Sequence, residues 1–321
     1  MATAEQLKTL IKSHFDEDGE RFATLALQLA AHEARQGHND LANEIRVFVQ
    51  RGSTNAVRIF PANKEYDEYF EIWDPKQRLS DMIVNHATRS RLERVIREYR
   101  QLDRLKRHGL QNRRKLLIFG PPGTGKTMTA QVLASELGLP LMTVLIDKLV
   151  TKYMGETSAK LRAVFESIES RKAVYLFDEF DTIGGERGLS NDVGEIRRVL
   201  NSFLQFIEHD ESDSLIIAAT NNVGLLDHAL FRRFDDVIRY ELPTDPEAKR
   251  LIGNRLGIFK SASLSLTAAI KDEKPLSHAE IAQACEDAIK EAILGGRDKV
   301  TTALLKEMLH DRRSAYEGNR G

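Results

Sequence analysis

The sequence predicts an α/β fold: a largely parallel sheet with helices on both faces, between an all-helical N-terminal region and an all-helical C-terminal one. Three observations predict it. Short apolar runs continue up to residue 242, the first four joined by amphipathic helical runs, the pattern of strands joined by crossover helices. The first of these runs, Leu116–Phe119, feeds a glycine-rich loop that opens directly into a helix. Pro243 and Pro246 then close the alternation, and only helical periodicity follows.

The elements follow in chain order. Leu7, Leu10 and Ile11 share one helical face, as do Phe22, Leu25, Ala26, Leu29 and Ala30, and then Leu41, Ile45 and Phe48. Residues 1–51 therefore read as a three-helix bundle, either a folding or oligomerisation appendage or a docking module. Residues 52–80 carry Gly52, Ser53, Pro61 and Pro75, with aromatic residues at Tyr66, Tyr69, Phe70 and Trp73, and read as a linker. A helix is expected from about Thr88 to Arg107, with Leu92, Val95, Ile96 and Tyr99 on one face and Gly109 as its stop. Strands are expected at Leu116–Phe119, Leu141–Ile146, Ala173–Phe177, Leu215–Ala219 and Val237–Leu242, giving a core of 81–242. Helices at Glu247–Leu256, His278–Leu294 and Thr301–Tyr316 make a second domain, 243–316, before a short tail, 317–321.

Composition narrows the function. The chain has 321 residues, 41% hydrophobic and 30% charged, which suits a soluble protein with a sizeable core. With 47 Lys+Arg against 48 Asp+Glu, overall charge argues for neither nucleic acid nor membrane as the main partner. Local basic runs at Arg104–Arg107 and Arg113-Arg114-Lys115 keep a DNA-remodelling role as a lesser alternative. Cys285 is the sole cysteine, so no intramolecular disulfide forms. The N-terminus lacks the apolar core of a signal peptide, and a cytoplasmic location is expected.

Gly120-Pro121-Pro122-Gly123-Thr124-Gly125-Lys126-Thr127 fits G-x-x-x-x-G-K-[ST] in its strand–loop–helix context, the P-loop that cradles phosphates with backbone N–H groups. Lys126 would reach the β/γ-phosphates, Thr127 would hold Mg²⁺, and Met128 opens the helix. The third strand ends in Asp178-Glu179. Paired with such a loop, Asp178 reads as the second Mg²⁺ ligand and Glu179 as the general base that polarises water. Asn221, at the end of the fourth strand, either orients that water or simply terminates the strand.

With these segments in place, the chain resembles the AAA ATPases, of the AAA+ class of ring-forming machines. The resemblance is carried by Gly120–Thr127, Tyr175–Asp181, Ile216–Asn222 and Leu226–Asp235, with Leu276–Leu294 similar to the family's helical lid. It implies a hexamer, with ATP bound between subunits. Asn221 becomes a sensor of the γ-phosphate. Arg232 and Arg233 resemble the fingers that reach a neighbour's phosphate, although the usual Arg-Pro-Gly-Arg-Phe-Asp is shortened here to Arg232-Arg233-Phe234-Asp235. Either or both would serve, or one would make a structural ion pair. Lys152, Tyr153 and Met154 resemble the channel loop of protein-threading members, and Gly184–Gly188 a second, lower loop. Ile83 falls where the adenine pocket begins. In the lid, Ser277-His278-Ala279-Glu280 resembles Ser-Gly-Ala-Asp, with small residues such as Ala279 approaching the nucleotide. His278, in place of glycine, either touches adenine or ribose or faces solvent. The whole chain also looks like small bacterial or prophage AAA ATPases encoded beside a subtilisin-like serine protease in defence or addiction modules. That likeness would make a protease the partner of an ATP-gated regulator, as the alternative to a remodelling or threading machine.

Overall fold

The computed structural model describes residues 19–35, 38, 42–45, 67–149, 156–180, 193–221, 231–270 and 275–317. The chain divides into two units, Met1–Pro61 and Ala62–Gly321. In the first, helix α1 (Gly19–Arg35) buries Ala26 and Ala30 one turn apart, on the face expected from periodicity. Residues 42–45 are also helical, and the first expected helix lies outside the described residues.

The second unit is built on a six-stranded sheet of order β1-β3-β4-β5-β2-β6. Its strands are β1 (Phe70–Trp73), β2 (Lys115–Phe119), β3 (Leu141–Val144), β4 (Val174–Phe177), β5 (Leu215–Thr220) and β6 (Asp236–Arg239). Strands β2 to β6 pair in parallel, and β1 runs antiparallel along β3. The side-chain period of two sends alternate residues to opposite faces. Leu117, Tyr175, Phe177, Ile216 and Ala218 meet helices α6 (Glu156–Ser170) and α7 (Val193–His209) on one face. Leu116, Ile118, Leu176, Ile217 and Ala219 meet α2 (His86–Arg100) and α4 (Lys126–Leu137) on the other. Burial on both sides explains why these strands read as continuous apolar runs.

Two expectations are corrected. The segment read as a linker, 52–80, contributes β1, so the sheet has six strands and not five. Only Phe70 of β1 is buried, its ring set edge-on against Tyr175 at 5.6 Å, so the strand carries no alternating apolar signal. An Arg171–Asp67 ion pair at 2.5 Å anchors the turn just before it. The helix expected from Thr88 to Arg107 is broken at Gln101, which leaves helical geometry at φ −111° and separates α2 from α3 (Leu102–Arg107).

Between β3 and α6 lies the short helix α5 (Ile146–Leu149). Beyond β6 come α8 (Asp245–Leu256), α9 (Leu266–Ile270), α10 (His278–Leu294) and α11 (Thr302–Glu317). Thr244 with Glu247, and Ser277 with Glu280, form capping boxes that start α8 and α10. Ala284, Ala288 and Ala292, one turn apart on α10, are small enough to let neighbouring helices approach closely in a core that includes Ile252 and Leu256 of α8. Cys285 is fully buried in this core, and burial pushes its thiol up to about 12. No helix among the described residues is long and apolar enough to cross a membrane.

Candidate active site

The site forms where parallel strands end, at the carboxyl edge of the sheet. Strand β2 delivers Gly120 directly beside the exit of β6, where a side chain would collide with the Tyr240 carbonyl. Gly123 has φ +71°, and a Cβ there would stand 2.5 Å from Ser277 Oγ. Lys126 folds back over the loop and donates from Nζ to the Gly120 carbonyl at 2.9 Å and the Pro121 carbonyl at 2.8 Å. Thr124 Oγ1 donates to the same Pro121 carbonyl at 2.8 Å. Pro122 and Met128 line the cavity beside this loop.

Across the cleft, Thr127 Oγ1 donates to Asp178 Oδ2 at 2.6 Å. A hydroxyl and a carboxylate thus converge as hard oxygen donors of the kind Mg²⁺ takes, alongside phosphate oxygens. Glu179 follows with φ +48°, the one non-glycine residue at positive φ among the described residues. Its N–H donates to Asp178 Oδ1 at 2.9 Å. Such backbone costs about 1–3 kcal/mol and concentrates at active sites. Asn221 lines the same cavity from the end of β5.

The other end is closed by the C-terminal helices. The cavity measures about 400 Å³, within the range of small-molecule sites. Met82 and Ile83 are buried, and Ile83 joins the helical core. His278, Ala279 and Ala282 of α10 face the cavity, and the Ala279 N–H donates to the Gly123 carbonyl at 2.9 Å. His278 is half-buried beside the cavity. Burial lowers its pKa, with the Glu247 carboxylate and the Ile83 main chain opposing the shift. Sequence reasoning missed Leu251 and Arg255, which line the cavity from α8. Their spacing of four, matched by His278 and Ala282, was the available signal.

The two candidate fingers separate. Arg233 pairs with Glu208 at the end of α7, whereas Arg232 is exposed and has no hydrogen bond or ion pair among the described residues. Both precede β6, which runs parallel to β2 with Leu116 opposite Asp236. Arg232 follows Phe231, whose ring lies 6.3 Å from that of Phe119 at the end of β2, and it is not among the residues that line the cavity. Lys152, Tyr153, Met154 and Gly184–Gly188 lie outside the described residues.

Comparison with known proteins agrees with this geometry. The family described as "ATPase family associated with various cellular activities (AAA)" matches residues 116–242, from β2 past β6. An uncharacterized AAA family ATPase of Sinorhizobium fredii is 34% identical over 97% of this chain and 96% of its own length. A proteasome-activating nucleotidase of Saccharolobus solfataricus is 32% identical over 81% of this chain and 69% of its own. The ATP-dependent zinc metalloprotease FtsH 3 of Sphaerobacter thermophilus is 30% identical over 73% of this chain, which spans 49% of that protein. The family match over residues 116–242, with a relative 34% identical across 97% of this chain, places the chain in the AAA family of ATPases.

Proposed function

We propose that this ATPase works in the cytoplasm as a homo-oligomeric ring, a hexamer, that couples ATP hydrolysis to remodelling or threading a protein. The observation that carries the reading is that Arg232 is exposed and does not line its own nucleotide cavity. Asp178, Glu179 and Asn221 line the cavity beside the phosphate loop, while Arg232, exposed, does not. A second subunit would supply what one subunit lacks.

In this reading Lys126 and the loop N–H groups hold the phosphates, and Asn221 orients a water. Glu179 takes the proton from that water as its oxygen attacks the γ-phosphorus and ADP leaves. Thr127 and Asp178 would hold Mg²⁺, whose charge neutralises the phosphate oxygens. Arg232 of the next subunit stabilises the charge of the transferring phosphoryl group. Tyr153 and Met154, with Lys152, would grip substrate in the channel, where aromatic and flexible apolar groups need no specific hydrogen-bond partner. Relatives named as a proteasome-activating nucleotidase and an ATP-dependent protease support a protein substrate.

The test measures the mass of the Glu179→Gln protein with and without ATP, and substrate unfolding by Tyr153→Ala. The proposal expects an ATP-stabilised ring, and loss of unfolding with ATPase activity kept. A protein that stays monomeric while hydrolysing at full rate refutes it. An N-terminal unit of its own, Met1–Pro61, supports a docking role for residues 1–51. Its deletion is expected to abolish partner co-purification, a serine protease included, while ATP hydrolysis persists.

A further inference from the structure

One residue holds the phosphate loop at both ends. Tyr240 follows directly on β6 and is buried. Its N–H donates to the Phe119 carbonyl at 2.7 Å, where β2 enters the loop. Its carbonyl packs on Gly120 so closely that a Cβ there would stand 2.3 Å from the oxygen. Its phenol reaches to the far side of the loop and bonds Thr129 Oγ1 on α4. Thr129 in turn bonds Gly125, the residue at which the loop gives way to α4. The Gly125 carbonyl accepts from the Thr129 N–H at 3.0 Å and from Oγ1 at 2.9 Å.

Counting protons gives the direction of this chain. A hydroxyl carries one proton. That of Thr129 goes to Gly125, so the Tyr240 O–H donates to Thr129 Oγ1. Burial pushes the Tyr240 phenol up to about 12, which keeps the donor protonated at neutral pH. A helical threonine bonds back to the carbonyl four residues earlier without help, and a buried phenol needs only some partner. Neither requirement calls for the other residue. What their pairing adds is closure: the entry of the loop at Phe119 and its exit at Gly125 are both referred to Tyr240. Between them Gly123, and at the exit Gly125, sit at φ +71° and +101°, and glycine adds no stiffness of its own. The direction of the loop N–H groups therefore depends on how its two ends are held.

Building on ATP binding at this cavity, we infer that Tyr240 and Thr129 are a positioning pair, whose hydroxyl bond fixes the span of the phosphate loop and so sets how tightly the loop holds a triphosphate. Neither side chain touches the nucleotide; both act through the main chain of Phe119, Gly120 and Gly125.

The test measures equilibrium binding of Mg²⁺-bound ATP by the Glu179→Gln protein, so that none is turned over. That protein is compared with versions carrying Tyr240→Phe, Thr129→Val, both, or Thr129→Ser, and the urea midpoint of each is measured without nucleotide. Tyr240→Phe deletes one oxygen and is expected to weaken ATP about five- to tenfold, the order of one buried hydrogen bond. Thr129→Val keeps the shape, removes the hydroxyl and should weaken ATP at least as much. Because the two residues act as one unit, the double variant should bind no more weakly than Thr129→Val. Thr129→Ser keeps the hydroxyl and should keep the affinity. A pair that served packing alone would lower the urea midpoint and leave the affinity of the folded protein unchanged. Binding by Tyr240→Phe within about twofold of the parent overturns the inference. So do losses that multiply in the double variant. Equal binding by Thr129→Ser and Thr129→Val does the same, whether or not the Phe variant folds. If the parent Glu179→Gln protein binds no ATP, the nucleotide site itself is refuted together with the inference.

Discussion

The sharpest consequence of the proposed ring, with Arg232 acting on a neighbour's site, is that two inactive variants should repair each other. In the proposed ring, Glu179→Gln would remove the base from its own subunit's site, and Arg232→Ala the finger offered to the neighbour. An arginine finger is worth ~10³–10⁵ in rate, about 4–7 kcal/mol of transition-state stabilisation. Arg232→Ala homomers should lose that much while still binding ATP. Arg233 is different. It is spent on a partly exposed pair with Glu208, side chains 33% and 56% exposed, so Arg233→Ala should cost ~0–1 kcal/mol of stability and little activity. In a randomly mixed ring of equal parts, a site is whole when its own subunit carries Glu179 and its neighbour carries Arg232. That holds at about a quarter of the head-to-tail interfaces, whatever the ring size. Steady-state phosphate release from the mixture should therefore reach about a quarter of the parental rate when sites fire independently. A mixture no more active than either variant alone refutes the assignment in trans. An Arg233→Ala protein as inactive as Arg232→Ala refutes the choice between them.

Further expectations rest on particular contacts. Arg114 and Asp210 form an ion pair that is almost fully buried, 6% and 3% exposed, so Asp210→Ala strands a charge and should cost ~3–5 kcal/mol, read as a lower urea midpoint. Gly123→Ala adds a Cβ beside Ser277 in left-handed backbone, where an L-residue costs ~1–2 kcal/mol; ATP should bind at least tenfold more weakly with the circular dichroism spectrum unchanged. Cys285, its thiol held up at about 12, should be about one part in ten thousand thiolate at pH 8 and resist iodoacetamide until the chain is unfolded; brisk labelling of the folded protein would contradict its burial.

The features written into the linear sequence are local. Strands β2 to β5 were legible because each is an apolar run buried on both faces. The phosphate loop was legible because its chemistry needs glycines, Lys126 and Thr127 in one short stretch. The start of α10 was legible because Ser277 and Glu280 cap it reciprocally. Tertiary structure set whatever depends on partners distant in sequence. Strand β1 exists because β3 offers an edge and Tyr175 a ring for Phe70, neither visible within Phe70–Trp73. Arg233 differs from Arg232 only because Glu208 stands near it. Leu251 and Arg255 enter the site because the helical domain folds back onto Gly123. Periodicity records which face of an element is buried, but not which element buries it, and the active site is assembled from those second choices.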